Sequence, residues 1–158
     1  MHRHTKTKDG QHLEKLLAKI KSLAKEYRNI TGRPLGVTAE LAEYEAVRIL
    51  GLNRSPVRQP GYDATRLRGA KQEKIQIKGR VILNPVNPGQ KLGKIDLTKI
   101  WDTTLLVLLN EDFDAIAIYE ATRSSIRKAL RVPGSKARNI RGQLSVSKFR
   151  SIGSKVWP

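Results

Sequence analysis

The chain has 158 residues, no cysteine, and 31 Lys plus Arg against 14 Asp plus Glu, for a formal charge of +17. Apolar residues at 39%, with 12 glycines besides, are the proportion of a folded globular chain and not of a disordered basic tail. The missing thiols exclude cysteine zinc sites, iron–sulfur clusters and cysteine nucleophiles. The longest apolar run, Leu105 to Leu109, is too short to span a membrane, and the opening MHRHTKTKDG lacks the apolar stretch of a signal peptide. A single soluble, cytoplasmic domain over residues 1–158 is the expectation.

Over residues 11–30 the apolar positions Leu13, Leu16, Ile20, Leu23, Tyr27 and Ile30 alternate in steps of three and four, with lysines around the polar side. This predicts an amphipathic helix that docks on the protein's own core, with a homodimer contact as the other use of the same face. The segment Thr31–Gly36 breaks it, and Thr38 can cap a second helix from Ala39 to Leu50, ended by Gly51. On that helix Glu43 shares a stripe with Ala39, Ala46 and Leu50, so it is expected to face the sheet and to need a cation there. Glu40, one turn earlier, is the substitute, whereas Glu45 is expected to be solvated.

Gly61–Leu67 and Lys74–Lys78, separated by a turn around Arg68–Ala70, read as a β-hairpin. Asn84–Gln90 is a loop by composition. Thr103–Leu109 and Ala115–Tyr119 form a buried strand pair, Ser124–Arg131 a helix closed by Pro133-Gly134, Ser135–Gly142 a basic loop, and Leu144–Ile152 a last short helix. The order predicts an α/β (α+β) protein, a mixed sheet of four to five strands flanked by helices, with a core over residues 36–121 and a basic segment over 122–158.

From Ala121 to Pro158 there are six Arg, four Lys and no acidic residue. Such a field concentrates polyanions, and nucleic acid is the partner it implies. Within this segment Arg131, Lys136, Arg138, Arg141 and Lys148, together with Arg80 beyond the hairpin, are the candidate phosphate contacts. His2, His4 and His12 stand outside any catalytic spacing, Trp101 and Trp157 read as packing residues, and Asp96, Asp102, Asp112 and Asp114 read as turn or capping residues.

In the strand 75–78 the side chains of Gln76 and Lys78 share one face, and antiparallel pairing brings Asp63 beside them. A carboxylate, an amide oxygen and an ammonium then converge near the inward glutamate of the second helix. Through this acidic helix (Glu40-Leu41-Ala42-Glu43), Gly61-Tyr62-Asp63 and Gln76-Ile77-Lys78, the chain resembles the PD-(D/E)XK nuclease superfamily, over roughly Gly36 to Tyr119. The resemblance implies a restriction-endonuclease-like core and a divalent-metal-dependent DNA endonuclease, an Mg²⁺ or Mn²⁺ hydrolase of phosphodiester bonds acting on double-stranded DNA. It implies a metal held by Asp63, Gln76 and Glu43, with Glu40 as substitute, and a catalytic set of Asp63, Gln76, Lys78 and Glu43. Gln76 departs from the commoner Asp or Glu, which opens the alternative of a non-catalytic nucleic-acid-binding protein on the same fold.

Overall fold

The structure, a computed structural model, describes residues 7–33, 35–83, 87 and 89–158. Two compact units divide the chain, Met1–Val37 and Thr38–Pro158. The first is built on helix α1 (Lys8–Thr31), whose ends are set by local chemistry. The Thr7 hydroxyl accepts the Gly10 amide at 3.2 Å, and Gly32, in the left-handed region at φ 68°, returns its amide to the Arg28 carbonyl. Ala24 is the buried residue of α1, while Leu13, Leu16, Leu23, Tyr27 and Ile30 are between 40% and 77% exposed. The periodic stripe expected to be covered by the protein's own core therefore lies at the surface.

In the second unit, α2 (Thr38–Leu50) leads into a sheet whose strands lie in chain order: β1 (Asn53–Arg54), β2 (Ala64–Arg68), β3 (Lys71–Val81), β4 (Thr103–Leu109), β5 (Ala115–Thr122) and β6 (Ser154–Trp157). Every pairing is antiparallel except β3 with β4, so the sheet is mixed and has six strands among the described residues. Three further helices, α3 (Arg123–Arg131), α4 (Lys136–Asn139) and α5 (Val146–Ile152), follow β5. The parallel step from β3 to β4 needs a long crossover, supplied by residues 82–102, which lay Leu92, Ile95 and Trp101 into the core. Residues 84–86 and 88 of the loop expected there lie outside the described residues, as do His2 and His4.

All seven residues of β4 are buried, because strands flank it on both edges and helices cover both faces. On one face α2 packs against β3 and β4; on the other, α3 and α5 close over β5 around Leu106, Leu108, Tyr119, Ile126 and Phe149. At the end of the α2 face Arg66 joins three strands. Its Nε donates to Glu73 at 2.7 Å, and Nη1 and Nη2 donate to the two carboxylate oxygens of Glu120 at 2.8 and 2.7 Å. Burial alone would raise the Glu120 carboxyl, but these bonds and the Arg66 and Arg68 charges hold it below the usual carboxylate range.

Several local expectations are corrected. The buried face of α2 is Leu41, Ala42, Glu45 and Ala46, not the stripe through Ala39 and Leu50. Glu45, expected in solvent, is 4% exposed and accepts Arg48 Nη2 at 2.6 Å. Thr38 opens the helix itself, α4 interrupts the predicted basic loop, and β1 and β6 appear where no strand was predicted. Both are short edge strands with mostly exposed side chains; pairing makes them, and pairing leaves no apolar alternation to read.

The approach of α2 to the sheet depends on Gly79. A Cβ there would stand 2.3 Å from Ala42 Cβ and 3.2 Å from the Thr38 carbonyl. Gly79→Ala should therefore lower stability by about 1–3 kcal/mol, read as a reduced urea midpoint, and adding Ala42→Gly should restore part of the loss by removing the atom struck.

Candidate active site

The site forms where β2 ends. The β2–β3 ladder stops at Ala64 opposite Ile75, and β3 runs on for six residues with β4 on one edge only. The Asp63 amide still donates to the Ile75 carbonyl at 2.8 Å, but the next amide of β3, that of Ile77, has no strand to receive it. It donates instead to Asp63 Oδ2 at 2.7 Å. The carboxylate thus stands where a ladder carbonyl would be, fixed against the backbone. The second carboxylate oxygen, Oδ1, has no hydrogen bond among the described residues.

Asp63 shares a cavity of about 440 Å³ with Glu40, Glu43, Arg54, Tyr62 and the 55–59 loop. Arg54 Nη2 bridges the two glutamates, 2.9 Å from Glu40 Oε2 and 3.3 Å from Glu43 Oε2. Burial pushes the Glu43 carboxyl up, the charges of Asp63 and Glu40 push it further, and Arg54 opposes them without prevailing. Burial likewise raises Asp63, against the Ile77 amide, Lys78 and Arg54. The contrast with Glu120 is direct: there the arginines outweigh burial, while at Asp63 and Glu43 the nearby cations do not.

Lys78 and Gln76 approach from elsewhere. Gly79 faces α2, so alternation sets Lys78 and Gln76 on the opposite face of β3, and neither lines the cavity. Lys78 Nζ lies beside Gly93, 4.0 Å from where a Cβ at that glycine would stand. Burial lowers its pKa, the charge of Asp63 opposes the shift, and Arg80 adds to it. Gln76 is 9% exposed, and its Oε1 is buried without a hydrogen-bond partner, as is the hydroxyl of Thr104, its register neighbour on β4. An orphaned acceptor of this kind is costly unless something fills it. Among the described residues no three Asp, Glu or His side chains are grouped to hold a metal ion. What is present is two underneutralised carboxylates, a buried amide oxygen and a lysine coupled to the same aspartate.

The candidate phosphate contacts divide. Arg131, Lys136, Arg141 and Lys148 are exposed. Arg80 is tied down, its Nε to the Lys91 carbonyl and its Nη1 to that of Gly79, both at 2.7 Å, and Arg138 folds back on the Pro133 carbonyl at 2.8 Å. The segment 90–95 links the C-terminal region to β3: Leu92 and Ile95 donate to the Leu144 and Gly142 carbonyls, while the Lys91 carbonyl accepts from Arg80. Sequence reasoning missed Arg54 and the 55–59 loop, whose Val57 is 93% exposed and whose Arg58 adopts φ 65°. Nothing in the local spacing pairs Arg54 with residues 11 and 14 positions earlier on a helix. Asp96, expected in a turn, caps Thr98, and Asp102 accepts the Lys74 amide. Trp101 is core, with Arg123 stacked on it.

Compared with known proteins, the chain matches no family model and no curated protein.

Asp63 and Glu43 bind protons more tightly in the folded chain than in the unfolded one, so their contribution favours folding when protonated and is lost as pH rises through the folded pKa. At neutral pH the ionised groups oppose folding. Asp63→Asn keeps an acceptor for the Ile77 amide and removes the charge, so it should raise Tm by a few degrees at neutral pH, and the gain should vanish in acid, near the unfolded carboxylate pKa of about 4.

Proposed function

We propose that the protein is a divalent-metal-dependent endonuclease with a restriction-endonuclease-like PD-(D/E)XK core, acting on double-stranded DNA. The observation that carries this reading is the cluster around the end of β2: the Asp63 carboxylate fixed on the Ile77 amide in one cavity with Glu43 and Glu40, Lys78 near enough to feel its charge, and the buried oxygen of Gln76 unpartnered. Perturbed groups of opposite sign, gathered where the backbone ladder breaks, mark a reactive centre better than a structural ion pair. The donor set fits a hard divalent cation such as Mg²⁺ or Mn²⁺, which prefers one or two carboxylates with neutral oxygen for the rest. Asp63 and Glu43, which share the cavity, would hold it, and Glu40 would join if Arg54 released it; Gln76, on the other face of β3, lies outside that set.

A bound cation would polarise the scissile phosphate and acidify a water. The residues of the chain do the remaining work. The Ile77 amide keeps the Asp63 carboxylate in one orientation. Lys78, held near Asp63 in a partly desolvated setting, supplies positive charge to the phosphate as charge builds up on it. Arg131, Lys136, Arg141 and Lys148 bind the backbone of the duplex and set its register.

A second reading, a nucleic-acid-binding protein without catalysis, is favoured by one observation: Arg54 already bridges Glu40 and Glu43, as a cation would. Cleavage of plasmid and oligonucleotide duplexes with Mg²⁺ or Mn²⁺ separates the two. The nuclease reading expects metal-dependent cleavage that falls on the order of 10²–10³-fold or more in Lys78→Ala and Asp63→Ala, with binding in Ca²⁺ retained. Equal cleavage by wild type and variants overturns the site assignment, and tight binding with no cleavage of any duplex supports the second reading.

The interface has its own test. Neutralising Lys136, Arg141 and Lys148 together should flatten the slope of log K against log salt by about 2–3, since each phosphate that a cation neutralises adds about 0.9 to it. Arg138→Ala alone should leave the slope unchanged, since that guanidinium is committed to Pro133.

A further inference from the structure

The exposed stripe on α1 carries a pattern more specific than amphipathicity. With Leu13 taken as the first core position of a heptad, Leu13, Ile20 and Tyr27 fall at a, and Leu16, Leu23 and Ile30 at d. Five of these six are at least 40% exposed, a contiguous apolar surface of a kind that soluble proteins seldom leave bare. The two flanks of the stripe differ. On the e side, Leu17 is half-buried and Ala24 buried. On the g side, Lys19 and Glu26 are both exposed.

These flanks choose a partner and a direction. In a parallel pair, g residues meet e residues, and here the e residues are Leu17, Ala24 and Thr31, which offer no charge to Lys19 or Glu26. In an antiparallel pair, a packs against d and g meets g. The layers are then Leu13 with Ile30, Leu16 with Tyr27, and Ile20 with Leu23, each occurring twice about a two-fold axis. The same register sets Lys19 of one copy against Glu26 of the other, also twice. The stripe is therefore self-complementary in both shape and charge, as an isologous interface requires.

We infer that α1 pairs antiparallel with α1 of a second copy of this chain, through the Leu13–Ile30 stripe and reciprocal Lys19–Glu26 ion pairs. The pairing rests on unit 1 alone and stands whether or not the protein is a nuclease. With fewer than three heptads, it should be a reversible dimer that forms in the micromolar range.

Light scattering across a micromolar concentration series should give a mass rising from 17.8 kDa toward twice that value. Lys19→Glu should weaken the dimer about tenfold by setting acid against acid, and Lys19→Glu with Glu26→Lys should restore it. Because the chain has no cysteine, direction can be read by oxidation. Leu13→Cys with Ile30→Cys should form covalent dimers. Either single variant should not, since like positions lie about 25 Å apart along antiparallel helices. Far-UV circular dichroism and Tm unchanged in the charge variants show that the fold is intact. A protein that is monomeric at every concentration, single-cysteine variants that cross-link, or a Lys19→Glu variant that dimerises like wild type each overturn the inference. So does a monomer whose Tm falls with Leu16→Glu, because the stripe would then be covered by the chain's own residues or await another partner.

Discussion

The site depends on a hydrogen bond made because a strand stops. β2 pairs with β3 as far as Ala64, and one residue earlier the chain leaves the ladder, so the Ile77 amide would be buried without an acceptor. A backbone donor in that position must be satisfied, and the Asp63 carboxylate supplies the oxygen. Everything else about the site follows from the position this fixes. The aspartate is held at the open edge of β3, α2 brings Glu40 and Glu43 to the same cavity, and Lys78 comes from the other face of the strand, near enough to feel the same charge. A longer β2 would close the edge and leave no reason for an acidic side chain there.

The electrostatics run against the average of the molecule. A chain of charge +17 has cations in excess, and three other carboxylates withdrawn from solvent are neutralised, Glu120 and Glu73 by Arg66 and Glu45 by Arg48. Asp63 forms no ion pair within 4 Å among the described residues, and Glu43 shares one guanidinium with Glu40, at the longer of the two distances. Folding keeps these carboxyls partly desolvated, with Glu43 also beside the charges of Asp63 and Glu40, a local destabilisation of the sort that binding and catalytic centres tolerate. Arg54 is the internal counter-ion that makes this bearable.

The hairpin, the buried pair of strands and the turn that separates them were legible because each has a local physical signature. Thr103–Leu109 joins two β-branched threonines to the unbroken apolar run Leu105–Leu109, and it coincides with β4 to the residue. The Gln76–Lys78 spacing placed both side chains on one face, and the antiparallel register put Asp63 one step beyond the Ala64–Ile75 pair. The environment of α2 was not legible. The helix turns Leu41, Ala42, Glu45 and Ala46 inward, rotated from the predicted stripe, because Gly79 admits Ala42 at close range and Glu45 comes inside with Arg48 as its partner. Helical periodicity gives a face only when apolar residues outnumber the alternatives, and Glu43 and Glu45 divide a short amphipathic pattern almost evenly.

Composition and local chemistry by themselves determined that the chain folds without thiol staples, that it presents a strongly basic C-terminal segment, and that α1 has a repeating apolar stripe bounded by Gly32. These are properties of neighbours in sequence, where propensity, charge and period act directly. Only the tertiary structure decided which cations are committed and which face solvent: Arg80, Arg123 and Arg138 are bound to backbone carbonyls, while Arg131, Lys136, Arg141 and Lys148 are exposed. It alone joined Arg54 to Glu40 and Glu43, left the Gln76 oxygen without a partner, and kept the α1 stripe at the surface. The reason is the same in each case. A side chain's partner is whichever group the fold brings within about 3 Å, five positions away for Arg138 and 24 for Arg123, a distance at which hydrogen bonds form and which no local pattern records.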